Sequence, residues 1–480
     1  ILILGNYWIQ AQTPSPTQQE AYIEVFKLKV NTARQLLTQE KNTDFGVYID
    51  NYADMLTLLV SDYRPLYDQL TLHQEQRLAL LARIPDSSPY QRFLQAEVRL
   101  HWAFVKLKFG KEVSACWDII KAYRLLEENA QKFPDFLPTY KSLGLLHVLI
   151  GATPQNYQWV ARLLGLRGNI NQGLKEIEKA QKDPIFATEA QLIELLVNAY
   201  VLQYSESKNQ ELLRLVEKHK DNLLIHFFGA TVSMKDGRSE QALQFLQHCP
   251  SGGAYLAFPI LEYLKGEIML QKGEYASSRM YLKLFLSQYR GQNFLKDTYF
   301  KLFLSHWLAD ENSQAEPYLA QILKVGQATV EADKAAQKWV EKWLKGQITP
   351  QQKILMKARL SFDGGYLSAA WQGLKRYEEK DFEQTADKAE YRYRLGRIMQ
   401  KQKQVEEAIQ HYERAIELSR PQSLYFGATA ALQLGYIYLS KSQKSKAIVY
   451  FKQALNYPKH EYKNSIDNKA RAALTMLGVE

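Results

Sequence analysis

A spacing of small and aromatic residues recurs in the last quarter of the chain and constrains its fold more than any other feature. Gly396 is followed by alanine 12 residues later, by an aromatic residue after 16 and by alanine again after 19, and the same offsets follow Gly435. Two antiparallel helices pack closely only where small side chains meet, and an aromatic ring fills the space beside them. The pattern therefore predicts antiparallel helix pairs stacked one after another.

This skeleton resembles the tetratricopeptide repeat, abbreviated TPR. Weaker copies recur upstream, with a small residue at the helix crossing and usually a glycine at the turn, and they centre on Ala103, Ala230, Gly266, Ala315 and Ala358. No long run alternates with the period of a β-strand. The sequence therefore predicts an all-α, TPR-type α-solenoid, which is a right-handed superhelix of antiparallel helix pairs.

The length of the chain also favours a repeat array, since 480 residues exceed what one globular core usually holds. The helix patterns are less regular before the first clear repeat. We predict a signal-peptide remnant over 1–12, a linker over 13–18, irregular helices over 19–90, a TPR-like solenoid over 91–345 and C-terminal TPR repeats over 346–480.

The first residues, ILILGNYWIQAQTPSPTQQ, combine an apolar run with a small and polar ending and a spacer rich in proline, serine and threonine. This order is typical of the end of a secretory signal peptide. The IQAQ ending resembles signal-peptide ends common in Bacteroidetes envelope proteins. A buried N-terminal strand or an arbitrary domain boundary is the alternative interpretation. We expect an exported protein that is periplasmic or envelope-associated.

The repeat is interrupted between the helix of Gly144 and its partner helix. A turn is expected at Gly151, but the pattern of the second helix resumes only around Gly173, after 17 inserted residues. The segment 154–168 carries tryptophan and leucine near helical spacing and ends in glycine, which predicts a short extra helix. This helix either buries its apolar side against the inner wall of the superhelix or faces a partner or membrane. Its candidate interface residues are Trp159, Arg162, Leu163 and Arg167.

The end of this insert resembles the inclusion-body-clearance and tetratricopeptide-39-like proteins. In that family a leucine-rich stretch precedes a run of the form Gly-x-x-Gly-[Asn/Asp]-x-x-x-Gly-Leu. The resemblance covers roughly residues 135–310 and implies a non-catalytic adaptor, here in a Bacteroidetes envelope version, because the cytosolic eukaryotic members lack the signal-like start. The matching positions are Gly165, Gly168, Asn169, Gly173 and Leu174.

The sequence shows no convincing catalytic constellation. The nine histidines form no His-x-x-x-His or His-Glu-x-x-His pair, and the glycines after the insert lack the Lys-Ser/Thr of a phosphate loop. The Ser-x-x-Lys match at 205–208 has no companion motif. We therefore predict a protein that is not an enzyme and that has no metal and no cofactor.

The first helix of each pair should line the concave groove, and in the repeat around Gly396 this helix carries basic residues beside tyrosine. From 351 to 480 the chain has 22 Lys and Arg against 14 Asp and Glu. Arginine beside tyrosine would hold an acidic, partly apolar peptide, because guanidinium pairs bidentately with carboxylate. A solvated basic helix face is the alternative. The predicted groove residues are Tyr393, Arg394, Arg397, Lys401, Gln433 and Tyr436.

These observations lead to one main functional hypothesis and one alternative. The main hypothesis is a scaffold that binds a protein or peptide partner, with an acidic segment in its groove. The alternative is association with a lipid or membrane surface through 154–168 and the basic C-terminal third. Nucleic-acid binding is disfavoured because the positive excess is modest and interleaved with acids. The partner's identity and the oligomeric state remain open at this point.

Overall fold

The computed structural model describes residues 13–40, 43–153, 161, 163–422, 424–458, 460 and 462–479. These residues form α-helices joined by short turns, and no β-strand occurs among them. The structure confirms the predicted all-α solenoid.

Five helices precede the regular array: α1 (Pro16–Phe26), α2 (Val30–Leu36), α3 (Asp44–Ser61), α4 (Arg64–Leu70) and α5 (His73–Leu81). Helix α1 begins inside the stretch predicted as a linker. Its start is fixed by a capping box, in which the Ser15 side chain accepts from the backbone of Gln18 while the Gln18 side chain accepts from the backbone of Ser15. Pro16 suits the first helical position because its missing N–H has no intrahelical partner there.

The array then proceeds in helix pairs. The first six are α6/α7 (Pro89–Lys108, Glu112–Lys132), α8/α9 (Thr139–Gly151, Ile170–Ala180), α10/α11 (Ala187–Tyr200, Glu206–Lys218), α12/α13 (Leu223–Lys235, Ser239–Gln247), α14/α15 (Ile260–Lys272, Tyr275–Gln288) and α16/α17 (Leu295–Trp307, Asn312–Lys324). A single helix, α18 (Glu331–Leu344), follows. The last elements are α19/α20 (Gln351–Asp363, Leu367–Leu374), α21/α22 (Thr385–Lys401, Val405–Ser419), α23/α24 (Tyr425–Ser440, Lys444–Leu455) and α25 (Lys463–Met476).

The small residues lie at helix crossings, as the sequence predicted. A Cβ placed on Gly396 would come within 2.8 Å of the Tyr412 ring, and one on Gly266 within 2.7 Å of Leu282. Such contacts are shorter than real Cβ atoms make, so the crossings leave no room for a side chain. In the Gly396 repeat, the side chain that touches the glycine is Tyr412, the aromatic residue predicted to fill this space.

Most of the turns that the sequence predicted contain a glycine with positive φ, and the turns of the last two repeats contain another residue in the same conformation. Gly237 and Gly273 have φ values of 73° and 85°, a left-handed conformation that glycine adopts without steric cost. Lys403 and Ser442 occupy the same conformation in the last repeats, with φ of 65° and 59°. Helix α8 ends at Gly151, where the sequence predicted a turn, and the backbone of Asn169 and Ile170 lies close to this glycine.

The N-terminal helices pack onto the repeat array through Asp62, which ends α3. Its carboxylate accepts from the Tyr289 hydroxyl at 2.7 Å and from the backbone N–H groups of Gln292 and Asn293 at 3.0 and 2.9 Å. The Asn293 side-chain amide donates to it as well, at 3.0 Å. Asp62 is 1% exposed. One buried carboxylate therefore joins the N-terminal helices to the loop between α15 and α16.

The array also contacts itself at two places far apart in sequence. Ser239 donates its backbone N–H to the Gly364 carbonyl at 3.2 Å, which joins the α12–α13 turn to the α19–α20 turn. At the C-terminal end, Ala472 of α25 packs in one apolar cluster with Val148 and Ile170 of α8 and α9. The Asn468 side-chain amide lies 2.8 Å from the carbonyl oxygen of Ala152, to which it donates. Helix α25 thus returns to the middle of the chain, and the inner helices surround a central space.

Candidate functional site: a basic central cavity

The central cavity has a volume of about 900 Å³. Most of its lining comes from α10, α12, α14, α19, α21, α23 and α25, which apart from α25 are first helices of their pairs, and Leu367 of α20 also lines it. Ligand pockets commonly have volumes of about 300–1,000 Å³. The cavity therefore has the size of a ligand site, and it lies where the sequence placed the concave groove.

Four of the six predicted groove residues line this cavity: Tyr393, Arg397, Lys401 and Gln433. The other two are directed elsewhere. Arg394 is 6% exposed and pairs with Glu390, one turn earlier on the same helix. Tyr436 packs edge-on against Phe451 of the partner helix, with ring centroids 5.2 Å apart.

The cavity wall has more basic than acidic side chains, and its acids are already paired. Six basic and three acidic residues line it. Asp236 lies 2.6 Å from Arg238, and Asp363 lies 3.5 Å from Arg359. Glu267 lies 3.7 Å from Lys301, which is outside the lining. Each of these acids therefore has an ion-pair partner other than the remaining basic groups of the wall.

Four basic side chains of the wall have no acidic partner within 4 Å among the described residues: Lys235, Arg397, Lys401 and Lys469. Arg397 donates to the Tyr393 hydroxyl at 2.8 Å, and its guanidinium carbon lies 4.7 Å from the centre of the Phe362 ring. Lys235 lies over the Tyr200 ring at 5.8 Å. Aromatic faces attract cations without neutralising them, so the positive charge of the wall persists.

Lys469 shows the electrostatic consequence of this arrangement. Its pKa is lowered from 10.5 to about 8, first by burial and then by the charges of Lys235 and Arg397. Both causes disfavour the charged ammonium. Lys235 of α12 and Arg397 of α21 therefore repel the Lys469 ammonium of α25 across the cavity.

Burial and repulsion together lead to a prediction for Lys469→Met. The variant should be more stable than the wild type at pH 7 by about 1–2 kcal/mol, less than the full pKa shift implies because water reaches the half-buried ammonium. Below pH 8 the ammonium is charged in both states and its cost in the folded state is complete. Between pH 8 and 10.5 the folded wild type loses the proton while the unfolded chain keeps it, so the difference shrinks as the pH rises.

Urea denaturation at pH 7 and pH 10 measures this effect. Lys444→Met is the matched control, because Lys444 is exposed on the outer helix α24 and does not line the cavity. A variant Lys469→Met that is no more stable than Lys444→Met at pH 7 would show that burial and the neighbouring cations do not destabilise the Lys469 ammonium.

Sequence reasoning missed Lys235, Arg359 and Lys469 as cavity residues. A usable signal existed for the first two. Lys235 follows Ala230 by five residues, as Lys401 follows Gly396, and Arg359 follows Ala358 as Arg397 follows Gly396. The repeat offsets therefore predict both when they are applied to every copy. Lys469 lies on α25, which follows the last helix pair, so no repeat offset indicates its position.

The inserted segment is described only at its end. Trp159 and Arg162 lie outside the described residues, as does most of the predicted helix 154–168. Leu163 is 77% exposed. Arg167 accepts with its carbonyl from the Tyr123 hydroxyl of α7 at 3.0 Å. The described end of the insert thus packs against α7, the second helix of the α6/α7 pair. It does not line the cavity wall.

Within the described chain, no three or more His, Cys, Asp or Glu side chains are grouped as a metal site would require. None of the described helices combines the length and apolar character needed to cross a bilayer.

Comparison with known proteins agrees with the geometry at the level of fold class. The family model described as tetratricopeptide repeat matches residues 387–459, which contain most of α21 through α24. Fold and repeat together define a TPR-type α-solenoid. No curated protein matches the chain. The resemblance to the inclusion-body-clearance family and the Bacteroidetes origin therefore stay predictions.

The chain is also similar to solved structures over most of its length. These include the human IFIT1 dimer with PPP-AAAA (13% identity, 90% of this chain and 94% of that chain, TM-score 0.32) and the APC/C hetero-tetramer Cut9–Hcn1 (14%, 92% and 80%, TM-score 0.28). Yeast Tom70 is a third (12%, 96% and 88%, TM-score 0.24). At these identities the similarity concerns the fold alone.

Proposed function

We propose that this protein is a non-enzymatic binding scaffold whose central cavity holds an acidic segment of a protein partner. The observation that carries the proposal is the set of four basic side chains without acidic partners on the cavity wall. Charged side chains that do not bind a ligand are usually solvated or paired within the protein. A wall with an excess of positive charge attracts anionic ligands.

The aromatic residues of the wall define the second requirement for the partner. Phe362, Tyr393, Tyr425 and Tyr462 line the same space as the cations. Aromatic rings contribute apolar contact area at low entropic cost, and the tyrosine hydroxyls add hydrogen bonds. The partner segment therefore combines carboxylates or other anions with apolar side chains, and it is short enough for a cavity of about 900 Å³.

Site-specific crosslinking tests this proposal. A photoreactive amino acid at Gln433, which lines the cavity, should crosslink to acidic peptide segments in an extract of the source cells, identified by mass spectrometry. The matched position is Gln410, which is exposed on the outer helix α22. Equal crosslinking at both positions, or segments without acidic enrichment, would contradict binding in the cavity.

Charge removal in the cavity should abolish this crosslinking. We expect Arg397→Gln/Lys401→Gln to reduce the yield at Gln433 at least about tenfold, because charge-assisted hydrogen bonds to carboxylates contribute strongly where water is partly excluded. Arg394 is not part of this test, since Glu390 already holds it. The control is Lys444→Gln/Lys452→Gln, which removes two exposed charges from α24. An unchanged yield in the cavity variant would end the proposal.

We also propose that the protein is exported to the periplasm or envelope. The support is the signal-like order of residues 1–12, which lie outside the described structure. Expression of the native gene in the source organism, followed by N-terminal sequencing of the mature protein, tests this. A mature protein that retains residues 1–12 in the cytosolic fraction would contradict export.

A second candidate function, contact with an anionic membrane surface, is favoured by one exposed face of α7. Val113 and Trp117 are 76% and 56% exposed, and Lys121 and Arg124 continue the same face toward the C-terminal end of the helix. Apolar and basic residues on one face suit lipid headgroups. Flotation with anionic vesicles at low salt tests this candidate. Equal recovery of wild type and Trp117→Ser/Lys121→Gln at the top of the gradient would contradict it.

A further inference from the structure

Three of the unpaired cavity cations come from helices that are far apart in sequence. Lys235 ends α12, Arg397 lies in α21 and Lys469 lies in α25. All three line the central cavity. Only the return of α25 to α8 and α9 brings Lys469 to the other two. The cluster is therefore a product of the closed arrangement and not of any local sequence.

A structural role for the cluster would require acidic partners. Buried and half-buried cations in proteins are normally paired, because an uncompensated charge is costly to desolvate. The acidic residues of the same wall, Asp236, Glu267 and Asp363, each lie within 4 Å of another basic group. The fold therefore places three cationic side chains on one cavity wall, none of them with a carboxylate within 4 Å among the described residues.

We propose that Lys235, Arg397 and Lys469 form a binding site for a phosphate monoester, carried by a ligand whose apolar part packs against Phe362 and Tyr393. This inference rests on the proposed binding role of the cavity and specifies the anion. Phe362 and Tyr393 flank Arg397, whose guanidinium carbon lies 4.7 and 5.8 Å from their ring centres.

The number of cations favours a phosphate over a carboxylate. A phosphate monoester carries a charge of about −1.5 to −2 at pH 7 and offers three strong acceptor oxygens. A carboxylate carries a single charge on two oxygens. Three cationic side chains match the three oxygens of a phosphate, whose charge compensates up to two of them, whereas a carboxylate compensates only one.

Lys469 supports the same conclusion. Its pKa of about 8, lowered by burial and by Lys235 and Arg397, leaves most of the ammonium groups charged at pH 7 despite the repulsion. A bound dianion would replace this repulsion by attraction. The residue that destabilises the empty cavity is then a residue that contributes to ligand binding.

The primary experiment compares two small ligands that differ in the anion on a phenyl ring. Phenyl phosphate and benzoate are titrated into the purified chain by isothermal titration calorimetry at pH 7 and low salt. We expect phenyl phosphate to bind at least about tenfold more tightly, because it carries a second negative charge and a third acceptor oxygen. Equal affinities, or no binding of phenyl phosphate, would overturn the inference.

Variants locate the site. Lys469→Met should weaken phenyl phosphate at least about tenfold while leaving the fold as stable as the wild type or more so. Lys235→Met should act in the same direction. The matched controls are Lys444→Met on α24 and Lys218→Met on α11, both exposed on outer helices and outside the cavity lining. Binding that is unchanged in Lys469→Met and Lys235→Met would place the phosphate elsewhere and overturn the inference.

A third set of titrations distinguishes the two sources of a phosphate monoester. A pentapeptide with a central phosphotyrosine between glutamate and leucine residues is compared with phenyl phosphate and with the same peptide bearing tyrosine. Tighter binding of the phosphopeptide indicates a phosphorylated partner segment, and tighter binding of phenyl phosphate indicates a free phosphate ester. Equal binding of both peptides leaves the proposed peptide-binding function in place but removes the phosphate site. Absence of binding by all three ligands removes the phosphate site, and the crosslinking at Gln433 then decides the proposed function separately.

Discussion

Asp62→Ala is expected to lower the stability of the N-terminal part of the chain by about 3–5 kcal/mol, because it leaves several buried donors without an acceptor. The Tyr289 hydroxyl and the backbone N–H groups of Gln292 and Asn293 all donate to this carboxylate. Asp62 also has a φ of 51°, a left-handed conformation that alanine adopts at greater cost than aspartate. Urea denaturation measures the loss, and hydrogen exchange of the α3 amides shows which unit is weakened.

The matched control for this prediction is Asp68→Ala. Asp68 is exposed and pairs with Arg64 at 3.0 Å on the surface of α4. Exposed pairs of this kind contribute about 0.5 kcal/mol or less. If the two variants were equally stable, Asp62 would not join the N-terminal helices to the α15–α16 loop.

Gly144→Ala is expected to destabilise the α8/α9 pair by about 1–3 kcal/mol, although alanine has the higher helix propensity. The added methyl group would lie 2.7 Å from the Gly173 carbonyl oxygen and 2.9 Å from the backbone nitrogen of Ile177. Both atoms belong to the backbone of α9, so a side-chain rotation cannot relieve the contact. The helices must separate, and thermal or urea denaturation measures the result.

The same substitution at Gly373 should have the opposite sign. Gly373 lies in α20, and a Cβ there would meet nothing within 4 Å. Gly373→Ala should therefore stabilise the chain by about 0.5–1 kcal/mol through helix propensity alone. A loss of stability in Gly373→Ala, or a gain in Gly144→Ala, would show that close helix crossing does not determine the choice of glycine.

The α8/α9 crossing also bears on the cavity. Helix α25 packs against Val148 of α8 and Ile170 of α9, so a shift of these helices moves the surface on which α25 rests. Because α25 carries Lys469 into the cavity wall, Gly144→Ala should weaken phenyl phosphate binding without altering any lining residue. The position of Lys469, and with it the charge of the cavity wall, thus depends on helix packing outside the cavity.

The repeat itself could be predicted from sequence because its signals are local. Gly396 and Tyr412, 16 residues apart, meet across one helix pair, and the structure places them in contact. The left-handed turn at Gly273 follows the end of α14 directly. At Gly151, where α8 ends, the close approach of Asn169 and Ile170 is a second reason for glycine that residue spacing does not show.

The candidate site was predicted in part for the same reason. Arg397 and Lys401 were found because their offsets from Gly396 place them on the inner helix face, and both line the cavity. Arg394 was placed on that face as well, but a neighbouring acid, Glu390, holds its side chain. Whether Arg394 faces the groove or pairs with Glu390 depends on side-chain geometry, which residue spacing does not specify.

The amino-acid sequence by itself determined the helix pairs, their turns and the all-α class, because each depends on contacts between residues within one or two repeats. Only the tertiary structure decided that α25 returns to α8 and α9 and that Lys235, Arg397 and Lys469 face one cavity. The physical reason is that small rotations between successive repeats add up along the array. Their sum fixes which distant helices meet, and no single stretch of sequence encodes it.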